Sequence, residues 1–142
     1  AQAEGAPRKY HVRGTLASLQ PLEQIDIVVN GQVAKRVAPA NAPVAGGGHE
    51  HRLDEAIPID GTSWIAVRCF ERWQPGRFRY AHSSPVFIDM PGKPLRPRPE
   101  EIQYLIRRVE EQIERCRGVV SPEALAEYER AAAIYREIEA RK

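Results

Sequence analysis

Apolar side chains recur at every second position between Lys9 and Met90 and at every third or fourth beyond Pro97. These are the periods of half-buried strands and of amphipathic helices. Tyr10, Val12 and Leu16 alternate with His11, Arg13 and Thr15, and Gly14 inside that run reads as a bulge or a close backbone approach. Ile25, Ile27 and Val29 alternate against Gln24, Asp26 and Val28 and run into Asn30-Gly31, a dipeptide suited to a type I′ turn, with Gln32 to Val37 as the return strand. Ala38 to Gly48, holding Pro39, Pro43 and Gly46-Gly47-Gly48, reads as an irregular, flexible loop. His51, Leu53, Glu55 and Ile57 form another alternating set, Asp60-Gly61 a turn, and Thr62 to Phe70 a further strand. Gln74-Pro75-Gly76 turns that strand into Arg77 to Met90, where Pro85 requires an edge position or a bulge.

About six or seven short antiparallel strands without intervening helices predict an immunoglobulin-like antiparallel β-sandwich over residues 9–97. Residues 1–8 read as a linker, small and polar with Gly5 and Pro7. The period changes after Pro97. Pro99 opens a helix whose apolar face is Ile102, Leu105, Ile106, Val109, Ile113 and Cys116, and Gly118 stops it. Ser121-Pro122-Glu123 is an N-cap followed by proline at the first helical position, and Leu125, Tyr128, Ala132, Tyr135 and Ile138 supply a second stripe. Residues 98–142 are thus expected to form an antiparallel two-helix hairpin packed on the sandwich. On their solvated faces Glu111 precedes Arg115, and Glu137 precedes Arg141, by four residues, the favourable order for weak pairs.

Composition narrows the function classes. The 142 residues are 42% hydrophobic and 28% charged, a globular balance that excludes a disordered chain. The 21 basic and 19 acidic residues are mixed along the chain, so no Lys/Arg stripe suggests a nucleic-acid partner. No apolar run reaches the roughly 18 to 20 residues of a membrane span, and the N-terminus lacks a signal-peptide core. A soluble chain is expected, with its compartment open. The opening AQAEGAPRK, without an initiator methionine, suggests a processed product or a fragment of something longer. Cys69 and Cys116 are expected to be buried free thiols.

Candidate chemistry is sparse. His49-Glu50-His51 places two imidazoles on one side of a strand, the weak metal candidates of this chain, but zinc sites normally use three or four protein ligands and no companion cluster is evident. Exposed side chains, without a metal or cofactor, are the expectation here. Ser83, Ser84 and His82 resemble a nucleophile with a base, yet adjacent strand positions point to opposite faces and no orienting carboxylate accompanies them. Gly46-Gly47-Gly48 precedes a strand where a phosphate loop would precede a helix. Trp64, Trp73, Phe78 and Tyr80 lie on or near one hairpin, and packing in a core or between domains is the favoured reading over sugar or peptide binding. Arg68, on the face of Trp64, Ala66 and Phe70, must find a carboxylate or mark a junction with another domain.

Ser63-Trp64-Ile65-Ala66-Val67-Arg68, followed by Tyr80-Ala81-His82-Ser83-Ser84-Pro85-Val86-Phe87-Ile88, resembles the closing strands of the carbaryl-hydrolase-like CehA/McbA metallohydrolases, relatives of the PHP phosphoesterases. Ile25 to Gly31 looks like the family's strand and turn, and the helices through Tyr104 and Tyr135 look like its helical end. Val67 and Ser83 stand where that pattern has alanine and threonine. The family's metal-binding catalytic domain lies upstream of such a region. The resemblance therefore implies a non-catalytic accessory domain, with the divalent metal in the parent enzyme and the upstream catalytic domain of the same polypeptide as partner. Trp64, Arg68, Trp73 and His82 are its candidate interface residues, and self-association into a homo-oligomer is left open. The rival reading is a free-standing module binding carbohydrate or peptide through the Trp73 to Tyr80 loop.

Overall fold

In the computed structural model, residues 8–140 are described. The expected linker falls on residues 1–7, outside the described residues, except that Arg8 already belongs to the first strand. Strands β1 (Arg8–Ser18), β2 (Leu22–Val29), β3 (Gln32–Val37), β4 (Ala42–Pro43), β5 (His49–Ile59), β6 (Ser63–Gln74), β7 (Arg77–His82) and β8 (Val86–Ile88) are followed by helices α1 (Pro99–Cys116) and α2 (Pro122–Ala140). Two compact units result, divided between Leu95 and Arg96.

The first unit is a pair of antiparallel sheets, one ordered β1-β5-β4 and the other β3-β2-β6-β7, with β8 also paired to β6. Alternation places Ile57, Leu53 and Ile59 of one sheet against Ile27 and Ile65 of the other, and Tyr10, Val12, Leu16, Val67 and Ile88 close around them. This dry layer between two sheets is the β-sandwich expected from a period of two. Asn30 and Gly31 take φ of 49° and 81°, the left-handed pair that a type I′ hairpin requires, and so fix the β2–β3 register.

Three local expectations are corrected. Gly14 makes no bulge: β1 pairs with β5 without interruption from Arg8↔Ile59 to Ser18↔His49, and no atom lies within 4 Å of the position a Cβ would take. The Ala38 to Gly48 loop is not wholly irregular. Ala42 and Pro43 pair with Glu50 and His49 as β4, and the Asn41 side chain holds the loop by accepting the Leu22 N–H at 2.8 Å and donating to the Leu22 carbonyl at 2.9 Å. Arg77 to Met90 is two strands, because Ser83-Ser84-Pro85 interrupts it. There the Ser83 hydroxyl accepts the Val67 N–H at 3.1 Å in place of a ladder carbonyl, while the Ser83 N–H donates to the Val67 carbonyl at 2.8 Å. Pro85, which has no N–H to offer, sits in this break on the outer strand.

The second unit is an antiparallel helix pair. Glu101 accepts the Arg98 backbone N–H at 3.0 Å at the start of α1, and Ser121 caps α2 by accepting the Ala124 N–H at 3.3 Å. Gly118, at φ 74°, turns the chain after α1. Arg136 meets Glu110 at 2.6 Å across the pair, and Gln103 meets Glu139. Ile102, Ile106, Cys116 and Ala132 are buried, whereas Leu105 and Tyr128 stay exposed at the margins of their stripes. Glu111 pairs with Arg108 at 2.7 Å, not with Arg115, and the expected partner of Glu137 is outside the described residues. Both cysteines are free thiols, but only Cys116 is buried. Cys69 is partly exposed.

Candidate functional site

The outer face of the larger sheet gathers most of the residues with chemistry. Strand register sets Arg36, Asp26, Arg68 and His82 side by side across β3, β2, β6 and β7. Asp26 is 0% exposed although it lies on the face away from the core. Its cover is its own partners: Arg68 donates from Nη2 at 2.9 Å and Nε at 3.0 Å, Arg36 from Nε at 3.2 Å, and Gln24 from Nε2 at 2.8 Å. Burial works against the charged carboxylate, and the hydrogen bonds from Arg68, Arg36 and Gln24 outweigh it, leaving the pKa of Asp26 below the ordinary aspartate range. Arg68 has thus found the carboxylate that its place in the sequence demanded.

Aromatic rings flank this row. Phe70 lies opposite Tyr80 with ring centroids 6.4 Å apart, and the Arg68 guanidinium sits 5.4 Å from the Phe70 centroid. One step further, Arg72 lies 5.8 Å from the Phe78 ring and is anchored to Glu23 at 2.5 Å. At the other end Trp64 lies opposite Phe87 on β8, with its backbone N–H held by the Asn30 side chain at 2.9 Å. Phe78, Tyr80 and Phe87 are 56%, 72% and 65% exposed, so these rings do not fill the core of the chain. Trp73 does not share this face. The β6–β7 register shifts between Arg72 and Gln74, and the Trp73 ring is stacked by Arg79 at 3.5 Å, whose guanidinium pairs with buried Glu71.

His49 and His51 are committed to structure. Ala40 N–H donates to His51 Nδ1 at 2.9 Å, so the ring proton belongs on Nε2. That nitrogen is buried without a partner among the described residues, in a side chain only 8% exposed, and a protonated Nε2 is no metal ligand. His49 Nδ1 donates to the Asn41 carbonyl at 3.1 Å, tying the same loop. Among the described residues no group of three or more His, Cys, Asp or Glu converges to hold an ion. Ser83 gives its hydroxyl proton to the Ser84 carbonyl at 2.9 Å rather than to His82, which itself bonds the Ser83 carbonyl at 3.0 Å.

Asp26 and Glu71 are the residues that sequence reasoning passed over. Asp26 stood among solvent-facing positions by alternation, and only the three-strand register shows that two arginines converge on it. Glu71 is buried by Ser18, which donates at 3.1 Å from a strand 53 residues away, and by Arg79 at 2.5 Å. Comparison with protein-family models, curated proteins and solved structures finds no match to the chain.

Proposed function

We propose that this chain is a non-catalytic accessory domain that docks through the outer face of its larger sheet onto the catalytic domain of a larger metal-dependent hydrolase, of the kind its closing strands resemble. The carrying observation is that Phe78, Tyr80 and Phe87 are exposed on the face that also bears Trp64, Arg68 and His82. Clustered exposed aromatic and arginine side chains on a rigid sheet are the composition of an interface centre. The resemblance to CehA/McbA-like enzymes supplies the partner's class, and the metal belongs to that partner. The immunoglobulin-like reading of the sandwich rests on strand order: β1-β5-β4 and β3-β2-β6-β7 match B-E-D and C′-C-F-G, with no counterpart of strand A among the described residues.

The test begins with the length of the native gene product. In an intact protein with an upstream His/Asp-rich domain, Tyr80→Glu combined with Phe87→Ser is expected to lower turnover, and to destabilise the protein by more than the roughly 1–2 kcal/mol that losing the Phe70 and Trp64 cross-strand contacts costs the present chain. Unchanged turnover and Tm in the intact protein would make the docking role wrong.

The alternative, a recognition module using the Trp73 to Tyr80 loop, is favoured by the exposure of Trp73 and opposed by the Arg79 guanidinium that already occupies one face of its indole. Tryptophan fluorescence titrated against glycans and peptides separates the two, since a docking domain gives no saturable change.

A further inference from the structure

Two histidines hold the loop before β5, and they hold it in opposite senses. His49 Nδ1 donates to the Asn41 carbonyl at 3.1 Å, whereas His51 Nδ1 accepts the Ala40 N–H at 2.9 Å. An imidazolium carries an N–H on both ring nitrogens. The His49 bond therefore survives a second proton. The His51 bond does not, because its Nδ1–H would stand against the Ala40 N–H, donor against donor. His51 also lies opposite Leu16 of β1, two residues from Leu53 of the core, and is only 8% exposed. A cation there would need a carboxylate partner. Among the described residues the carboxylates of the surrounding strands are already engaged: Glu50 with Arg52, and Glu55 with Lys35 of β3 at 2.5 Å, on the β5 side; Glu23 of β2 with Arg72; and Glu71 of β6 with Ser18 of β1 and Arg79 of β7. Tyr10 of β1 offers no carboxylate, and burial pushes the Cys69 thiol of β6 up, which keeps it neutral. Residues 38–48 contain no charged side chain at all.

We propose that His51 is an acid-sensitive latch: on gaining a proton its ring leaves the sandwich, and residues 38–48, β4 included, come away from the edge of β5. What opens is defined by the pairing. β4 covers β5 only at His49 and Glu50, so release uncovers that end of the strand. The two bonds between Asn41 and Leu22 oppose opening, so the open form grows with acid as a minority at first. The direction follows from proton counting. The closed geometry has room for one ring proton, while a ring released to water takes up its second near the ordinary histidine value of about 6.5. The closed loop is therefore at full strength above that pH, and its advantage falls about tenfold per pH unit below it. Between about pH 7.5 and pH 5 the open fraction should rise about 30-fold. The latch does not rest on the docking reading and works in the chain alone.

Hydrogen exchange followed by NMR tests it on the present chain at about pH 7.5 and about pH 5. The protection factor of the Ala40 amide, corrected for its intrinsic exchange rate, is expected to fall about 30-fold, while the Ile27 and Leu53 amides keep theirs. His51→Asn supplies a side-chain oxygen near the place of Nδ1 that takes up no proton, and should give the same Ala40 protection at both pH values. His49→Gln should leave the 30-fold fall intact. Imidazole nitrogen shifts of the wild-type chain should place the neutral-pH proton of His51 on Nε2. The proposal is overturned by Ala40 protection that does not change with pH, by a pH response that persists in His51→Asn, or by a neutral-pH proton on Nδ1. It is equally overturned if Ile27 and Leu53 lose protection in step with Ala40, since the whole sandwich would then be opening.

Discussion

Asp26 shows how one side chain can organise a sheet face without entering the core. Its carboxylate accepts from strands on both sides, so it joins β3 and β6 through β2 as well as the backbone ladders do. Asp26→Asn, which keeps the shape and removes the charge, is expected to cost about 1–3 kcal/mol at pH 7, read from urea midpoints. The depressed native pKa makes the carboxylate's contribution complete above the ordinary aspartate value of about 3.9 and lost as the pH falls through the lower native value. The gap between wild type and Asp26→Asn should therefore be constant from pH 7 to about 5 and close below about 3.9. A gap that persisted into acid would mean that packing, not charge, carries the site. Two glycines give a second contrast at this scale. Gly14→Val meets open space and adds a β-branched residue to a strand, so stability should hold or rise by up to about 1 kcal/mol. Gly48→Ala should cost more than about 1 kcal/mol, since Gly48 has φ of 95° and a Cβ there would lie 2.8 Å from the Ser18 carbonyl oxygen.

Elements in this chain begin and end where a side chain can replace a backbone partner. The break between β7 and β8 keeps the Val67 N–H satisfied because the Ser83 hydroxyl stands in for a carbonyl. Ser83→Ala should expose that amide, speeding its hydrogen exchange and costing about 0.5–1.5 kcal/mol; unchanged exchange at Val67 would mean that water serves equally well. The loop before β5 is held in the same way, by Asn41 and by His51 accepting the Ala40 N–H. These arrangements explain the local misreadings. Gly14 suggested a bulge because glycine weakens a strand, yet it pairs regularly with Leu53 and has open space over it. Gly- and Pro-rich residues 38–48 suggested an irregular loop, since a strand of two residues leaves no period to detect. Turn chemistry was legible where it is dictated by φ, as at Asn30-Gly31 and Gly118.

At the scale of the whole chain, a two-sheet sandwich and a helix pair fold as separate compact units, and the functional reading concerns surfaces rather than a catalytic pocket. The outer face of the larger sheet should matter only when an upstream domain is present. The period of two up to Met90 and the period of three to four beyond Pro97 were enough to determine the β and α parts and the inward faces of β1, β2 and β5, because backbone geometry alone sets which side chains share a face, and Gly118 and Ser121 marked the end of α1 and the start of α2. The same pattern placed Trp64, Arg68 and His82 on one hairpin. Only the tertiary structure decided that Asp26 would be enclosed by Arg36 and Arg68 and that Glu71 would be buried by Ser18 and Arg79. Each of these depends on which strands are neighbours and in what register, and that is settled by contacts between residues far apart in the chain, which no local period records.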